Sequence, residues 1–304
     1  MADITLFADA LVRSVPLILA GLAVALAFRG GVFNLGAEGQ LIVGAIASAA
    51  ISIKLEPAIG AFVIVVALAG GTLAGAFWAA IAAELKRRFH VLEIISTIML
   101  NFIAIYLVSF LVRGPLQEPT RIYPQTVSLA ESARLPIIIP GTRLHAGFII
   151  AILLAGVLYW TFKRTAIGFR IRVLGAGPRA ARSAGKIDIT RLSWRVFLAS
   201  GAIAGLAGAI EVNGVTFALY ENISPGYGYT AIAVALIAGL NPLGVIASGV
   251  FFGILETAAL ALQRDFGIPS SIASMVEALL ILVTLAVASL RGRSLLFAAR
   301  ERTA

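Results

Sequence analysis

The sequence contains no cysteine and only two histidines, His90 and His145. Without cysteine the chain can form no disulfide, thiol nucleophile or thiolate metal site. The two histidines are predicted to lie on opposite sides of a membrane, so they can neither pair at a metal nor complete a catalytic triad. The single Gly-Lys pair, Gly185-Lys186, lacks the other residues of a phosphate-binding loop. We therefore expect no enzyme activity, metal or cofactor in this chain, and if the protein uses ATP, another chain must hold it.

Charged residues are also scarce, at 13% of a 304-residue chain of which 60% is hydrophobic. Ordinary globular domains carry about 25% charged residues, so this composition indicates an all-α, polytopic membrane bundle surrounded by lipid. The formal net charge of +9 does not indicate a nucleic-acid partner. The basic residues cluster in short loops beside apolar runs, as they do in the cytoplasmic loops of membrane proteins.

A spanning helix needs about 20 mostly apolar residues, and this length predicts eight or nine transmembrane segments in one domain over residues 1–304. The candidate spans are Ala10–Phe28, Gly36–Ile53, Pro57–Ala83, Glu93–Val112, Leu144–Phe162, Val196–Thr216, Tyr229–Leu240, Leu243–Leu262 and Ile272–Leu290. Broken or half-helices are expected near residues 30–40 and 224–242. The second of these breaks contains a short run that Asn241-Pro242 ends sharply.

Three basic clusters set the expected orientation: Lys86–Arg88, residues 163–195 and residues 291–302. Lysine and arginine are enriched in cytoplasmic loops, so all three clusters are expected inside, with the N-terminus outside and the C-terminus inside. The proline-rich segment 113–143 then lies outside. It is either an external docking surface or a capping loop, and the sequence favours neither.

The basic loop 163–195 is predicted to do more than fix orientation. Pro178 can open a helix and Gly185 can end it, which gives a short basic helix able to fit a groove on a partner. The simpler interpretation is that its arginines only keep the loop in the cytoplasm.

Polar groups are concentrated at one break between apolar runs, Arg29–Gln40, which contains Asn34, Glu38 and four glycines. An ionisable side chain at membrane depth normally faces a bundle interior or a water-filled path. We therefore expect Asn34, Glu38 and Gln40 to line a solute path. The alternative is structural: Glu38 would then bond backbone donors that the glycines leave free.

Four further residues complete the expected path: Asn101, Glu256, Tyr227 and Tyr229. Asn101 either lines the path or bonds a neighbouring helix, and Glu256 is predicted to lie in mid-span. The tyrosines either belong to an interfacial aromatic belt or stack on a solute ring.

Two spacing patterns carry different weight. Residues 34–47 and 224–237 share a polar, glycine-broken start to an apolar helix, and paired interrupted helices indicate a transport site near the membrane midplane. Glycines four residues apart, as at Gly71/Gly75 and Gly201/Gly205, occur only about as often as chance allows. We draw no helix contact from the glycines.

Five stretches resemble one known family. They are Gly30–Ala45, Ile95–Asn101, Gly168–Ile187, Ser224–Leu236 and Asn241–Gly244. In this order, over nearly the whole chain, they are similar to permease subunits of ABC importers of the branched-chain amino acid and simple-sugar (ribose-type) group. Within that group the chain resembles the subgroup for nucleoside and simple-sugar uptake.

The resemblance implies an inner-membrane permease with three kinds of partner: a second, homologous permease, a cytoplasmic ABC ATPase and an external or lipoprotein substrate-binding protein. It also implies that the loop 168–187 engages the ATPase. The residues expected to carry this coupling are Gly168, Arg170, Arg172, Pro178, Arg179, Arg182 and Gly185.

The expected function is inward movement of a small polar solute by alternating access. Nucleosides are the first choice of solute, and simple sugars are the second. An ion-coupled secondary transporter, with protons or sodium carried on Glu38 and Glu256, is the alternative from another class.

Overall fold

The computed structural model describes residues 2–177 and 188–267, with a few single residues between 272 and 283. Within these ranges the chain is mostly helical. The helices are α1 (Ala2–Arg29), α2 (Ala37–Ile59), α3 (Val63–Phe89), α4 (Glu93–Arg113), α5 (Gly147–Arg164), α6 (Ala166–Ala176), α7 (Ile189–Glu211), α8 (Tyr227–Ile237) and α9 (Pro242–Phe266). A 3-10 turn at Gly60–Phe62 joins α2 to α3, and α7 runs into a π-helical turn at Val212–Thr216.

The all-α membrane fold is confirmed, with fewer crossings than the eight or nine expected. Six apolar helical segments of the described chain are long enough to span a membrane, and one of them, Ala37–Phe89, contains both α2 and α3. The helix α8 has only 11 residues. At 1.5 Å per residue it is about 16 Å long, roughly half the hydrocarbon core. The expected span Tyr229–Leu240 is therefore a half-helix, and Ile272–Leu290 falls almost wholly outside the described residues.

Two helices form the centre of the first of two compact units, Met1–Ile254 and Leu255–Ala304. The apolar windows of α1 and of Ile189–Thr216 are 83% and 78% buried, against 28% and 22% for α4 and α5. α1 packs against α7 and α8, and α7 also packs against α2 and α3. Outward-facing side chains such as Phe110 of α4 and Trp160 of α5 give those helices the apolar surface that lipid contact requires.

Glycines allow α2, α3 and α7 to approach one another closely. A methyl group on Gly205 would lie 2.3 Å from the carbonyl oxygen of Gly71, and one on Gly44 would lie 2.2 Å from that of Gly205. Gly75 and Gly201 face each other in the same way. Small residues of this kind are typical of membrane helix contacts. These glycines therefore form the central helix contact, although their spacing in the sequence is no more frequent than chance and did not predict it.

The segment 114–146, between α4 and α5, covers one end of the bundle. Asn213 in the π-helical turn joins it to α2, because its Nδ2 donates to Ser52 Oγ and to the carbonyl oxygen of Ala133, both at 2.8 Å. Nearby, His145 is 1% exposed, and burial lowers its pKa to about 4. The segment 114–146 is thus bonded to the bundle. The imidazole of His145 is neutral near pH 7.

The other end of the bundle carries basic residues, and we call it the basic end. A cavity of about 350 Å³, lined by Gly30, Lys86, Leu174 and Trp194 among others, brings together the ends of α1, α3 and α6 and the start of α7. The helix predicted between Pro178 and Gly185 lies outside the described residues. The described helix of this loop, α6, comes earlier in the chain.

We expect Gly205→Ala to destabilise the bundle, because the added methyl group would overlap the backbone of α3. Overpacking of this kind costs about 1–3 kcal/mol. The apparent unfolding temperature of the chain in detergent measures the effect. Gly156→Ala is the control, since a methyl group built there meets no atom within 4 Å apart from the backbone of its own helix and its chain neighbours. Equal stability of the two variants would contradict the close approach of α3 and α7.

Candidate functional site

The chain between α1 and α2 forms the break that the sequence predicts. The amide of Val32 donates to the carbonyl oxygen of Ala27 at 3.0 Å, and Gly31 adopts a left-handed φ of +69°, a conformation that favours glycine. The chain then runs without helical structure until α2 begins at Ala37. Irregular backbone inside an apolar bundle must find partners for its polar groups within the protein. Two side chains supply such partners: Asn34 of the break itself accepts from the amide of Gly36, and Asn101 of α4 donates to the carbonyl oxygen of Leu35.

Asn34 and Gln40 form a reciprocal amide pair. Asn34 Nδ2 donates to Gln40 Oε1 at 2.9 Å, and Gln40 Nε2 donates to Asn34 Oδ1 at 3.0 Å. Asn34 also donates to Ser200 Oγ at 2.9 Å and accepts from the amide of Gly36 at 2.9 Å. The hydroxyl of Ser200 donates to the carbonyl oxygen of Ala23 at 2.7 Å. The pair therefore ties the break to both central helices, α1 and α7.

Asn101 of α4 bonds the backbone on both sides of the start of α2. Its Oδ1 accepts from the amide of Gly39 at 2.8 Å, and its Nδ2 donates to the carbonyl oxygen of Leu35 at 2.9 Å. The first amides of a helix have no partner inside the helix, so Asn101 satisfies one of them. Of the two interpretations of Asn101, bonding to a neighbouring helix is the one that these contacts support.

Glu38 reaches from the first turn of α2 to the start of α8. Its Oε2 accepts from the amide of Gly228 at 2.7 Å, and the side chain of Ser224 also bonds the carboxylate. A methyl group on Gly228 would lie 2.2 Å from the amide nitrogen of Glu38, so the two helix starts touch backbone to backbone. The partial positive charge at a helix N-terminus stabilises a carboxylate. The two interrupted helices that the sequence paired therefore meet at Glu38.

The structure brings together four of the residues expected on the solute path, Asn34, Glu38, Gln40 and Asn101, and buries all of them. The most exposed of the four, Glu38, is 2% exposed. Asn101 and Glu38 bond backbone, at the start of α2 and at the start of α8 respectively, and Asn34 and Gln40 bond each other. Contact of these four residues with a solute stays a prediction.

The remaining expected path residues differ in exposure. Tyr229 is 41% exposed and its hydroxyl lies 3.4 Å from Asn101 Nδ2, whereas Tyr227 is 6% exposed. Glu256 lies on α9 within the second unit and is partly buried. Tyr229 is therefore the member of the expected set that contacts the buried polar cluster and is also exposed at the surface of the bundle.

The expected coupling residues are only partly covered by the structure. Gly168 begins the contact of α6 with α5, since a methyl group there would lie 2.0 Å from the carbonyl oxygen of Thr161. Arg170 and Arg172 are exposed on α6. Pro178, Arg179, Arg182 and Gly185 lie outside the described residues.

Sequence reasoning missed two residues of the site, Ser200 and Arg29. Ser200 has the only side-chain hydroxyl in the apolar run from Val196 to Ile210, and that isolation could have marked it as a bonding group. Arg29 Nη1 donates to the carbonyl oxygen of Leu240 at 3.1 Å, a partner 211 positions away that no local pattern indicates.

Comparison with known proteins places these residues in a family context. The pattern of the family described as "Branched-chain amino acid transport system / permease component" matches residues 6–285. The chain is 37% identical over 284 residues to a glucose ABC transporter permease protein of Haloferax volcanii, covering 90% of this chain and 74% of that protein. It is 36% identical over 272 residues to a guanosine ABC transporter permease protein of Bacillus subtilis, covering 88% and 77%.

A third relative is a nucleoside ABC transporter permease protein of Lactococcus lactis subsp. cremoris. It is 30% identical over 275 residues, which cover 88% of this chain and 75% of that protein. The resemblance inferred from the sequence motifs is therefore confirmed over nearly the whole chain.

We expect Glu38→Ala to destabilise the chain, because it leaves the amide of Gly228 buried without an acceptor. A buried donor that loses its partner costs about 1–3 kcal/mol. Glu38→Gln keeps an acceptor oxygen and should lose less. The apparent unfolding temperature in lipid nanodiscs measures both variants, with Glu131→Ala as control because Glu131 is an exposed carboxylate. If Glu38→Ala melts with the control, Glu38 does not brace α8.

Proposed function

The chain belongs to the family of branched-chain amino acid transport system permease components and is a membrane-spanning subunit of an ABC importer, and from this premise we propose that it moves nucleosides inward. It is not itself an enzyme, because ATP hydrolysis in this family takes place on a separate subunit. The family also works with a substrate-binding protein. The main observation behind the proposed position of the solute path is that α2 and α8 meet at Glu38 inside the bundle.

The proposed solute path runs along the exposed side of α8, beside the buried cluster of Asn34, Glu38, Gln40 and Asn101. Tyr229 supports this placement, because it is 41% exposed and its hydroxyl lies beside Asn101. Its ring would stack on a nucleobase and its hydroxyl would bond a polar group of the solute. In this scheme the buried cluster positions α8, and Tyr229 touches the solute.

We propose that the basic end faces the cytoplasm, and that the N-terminus lies outside and the C-terminus inside, as the basic clusters of the sequence predict. Lysine and arginine at this end, such as Lys86 and Arg164, support that orientation. The exposed arginines of α6, Arg170 and Arg172, would face the ATPase. A second permease, related to this one or a copy of it, would complete the path, and ATP with magnesium would be held by the ATPase.

Nucleosides are preferred to sugars as the solute for two reasons. Two of the relatives above are named for guanosine and nucleoside transport, and an aromatic side chain beside the proposed path suits a solute with a heterocyclic ring. A relative named for glucose makes simple sugars the second candidate. A ring-stacking residue contributes to both, but more to a nucleobase.

Uptake by the reconstituted complex tests the proposal. The chain would be purified with its ATPase and permease partners, placed in liposomes with the binding protein outside, and supplied with internal ATP. We expect radiolabelled guanosine to accumulate, and glucose or ribose to accumulate far less. Tyr229→Ala should lower guanosine uptake about tenfold, since base stacking on an aromatic ring is worth about 1–3 kcal/mol, while Tyr229→Phe should keep most of it.

Three outcomes of this assay would contradict parts of the proposal. Uptake of sugar but not guanosine would select the second candidate. Uptake that needs a proton or sodium gradient and no ATP would indicate an ion-coupled carrier instead. Equal uptake by wild type and Tyr229→Ala would show that the solute path does not run along the exposed side of α8.

A further inference from the structure

At the basic end, α6 presses backbone to backbone on the end of α1. A methyl group on Gly175 of α6 would lie 2.2 Å from the carbonyl oxygen of Arg29, and one on Gly31 would lie 3.1 Å from the Cα atom of Gly175. At these distances the two backbones are already in contact, and tightly packed protein interiors do not deform continuously. A shift of α6 toward α1 must therefore move the turn at Arg29–Gly31.

The side chain of Arg29 continues this contact to α8. Its Nη1 donates to the carbonyl oxygen of Leu240 at 3.1 Å, just beyond the last turn of α8. Leu240 has a left-handed φ of +58°, and its amide donates to the carbonyl oxygen of Ala235 at 2.9 Å. The guanidinium also lies over the ring of Phe162, 4.9 Å from its centroid. A cation near the carbonyl end of a helix is favoured by the helix dipole.

One segment of chain thus holds both ends of the half-helix α8. Arg29 bonds its carbonyl end, and Glu38 bonds its amide end at Gly228. Each charge has the sign that the helix dipole favours at that end. Any displacement of residues 29–38 would be passed to α8 as a whole rather than to one end of it.

We propose that Arg29 is a positioning residue that transmits movement of α6 to α8, and so links the ATPase side of the importer to the solute path. This inference rests on the proposed function, in which α6 faces the ATPase and α8 borders the path. Arg29 itself touches no solute in this scheme. Its role is to make α8 follow α6.

Arg29→Gln should separate ATP hydrolysis from transport in the reconstituted complex. Loss of a charged hydrogen bond and of the stacking on Phe162 is expected to lower guanosine uptake about tenfold, while ATP hydrolysis stays close to wild type. Arg264→Gln, a change of an exposed arginine near the end of α9 that is assigned no role in transport, is the matched control and should alter neither rate. A general folding defect would lower both rates together with the yield of the complex.

Distance measurements give a readout that a merely structural role would not move. The chain has no cysteine of its own, so pairs can be introduced for spin labels in the assembled complex once any cysteines of the other subunits have been replaced. Leu73→Cys on α3 serves as a shared reference, paired with Phe169→Cys on α6 or with Ile237→Cys on α8, and all three positions are exposed. Trapping the ATP-bound state should change both distances in wild type. In Arg29→Gln the α6 distance should change as in wild type, and the distance to Ile237, near the end of α8 that Arg29 holds, should change much less.

The outcomes distinguish this proposal from the function on which it rests. An α8 distance that changes as much in Arg29→Gln as in wild type would overturn the role of Arg29. In wild type, a change at α6 without one at α8 would overturn the link but leave the importer function standing. No change at either position would remove α6 as the coupling helix as well. Gly175→Ala, which enters the same contact from α6, should reproduce the uncoupling if Arg29→Gln fails to assemble.

Discussion

An amide at the start of a helix inside an apolar bundle has no water to bond, so the protein must provide an acceptor. For the amide of Gly228 in α8 that acceptor is the carboxylate of Glu38, at 2.7 Å, and the hydroxyl of Ser224 accepts from the amide of Tyr227 at 3.1 Å. A helix too short to cross the bilayer can therefore start inside the bundle. Asn101 and the Asn34–Gln40 pair perform the same service for the irregular chain before α2. The polar residues of this region are best understood as the means by which two interrupted helices are kept in one place.

The glycine contacts provide the rigid frame for this arrangement. α2 carries Glu38 at its start and contacts α7 through Gly44 and Gly205. α7 in turn carries Ser200, which bonds both Asn34 and the backbone of α1. Because the frame is packed backbone to backbone, it cannot yield to small forces. α6 and α8 lie outside this frame and join it by close backbone contacts of their own, α6 through Gly175 at the end of α1 and α8 through Gly228 at the start of α2.

The sequence predicts the fold class and the position of the break because both follow from the cost of polar groups in lipid. An acid and two amides between apolar runs stand out wherever they occur. The partners of those groups do not stand out, since Glu38 and Gly228 are 190 positions apart and no local period connects them. The glycine contacts were not predicted for a different reason. Their spacing in the sequence is no more frequent than chance, and only the packing of the helices shows which pairs are in contact. The same limit applies to Glu38 itself, where one residue type serves equally well for lining a path and for bracing a break.

Hydrogen exchange at the start of α8 tests the role of Glu38 most directly. Mass spectrometry of the complex in lipid can follow the amides of a peptide covering residues 226–230 in wild type and in Glu38→Ala. If the carboxylate holds this helix start, exchange in the variant should be at least about tenfold faster, while amides in the middle of α1 keep their wild-type rates. Equal exchange rates at residues 226–230 in the two proteins would contradict this role and show that α8 is held by something other than Glu38.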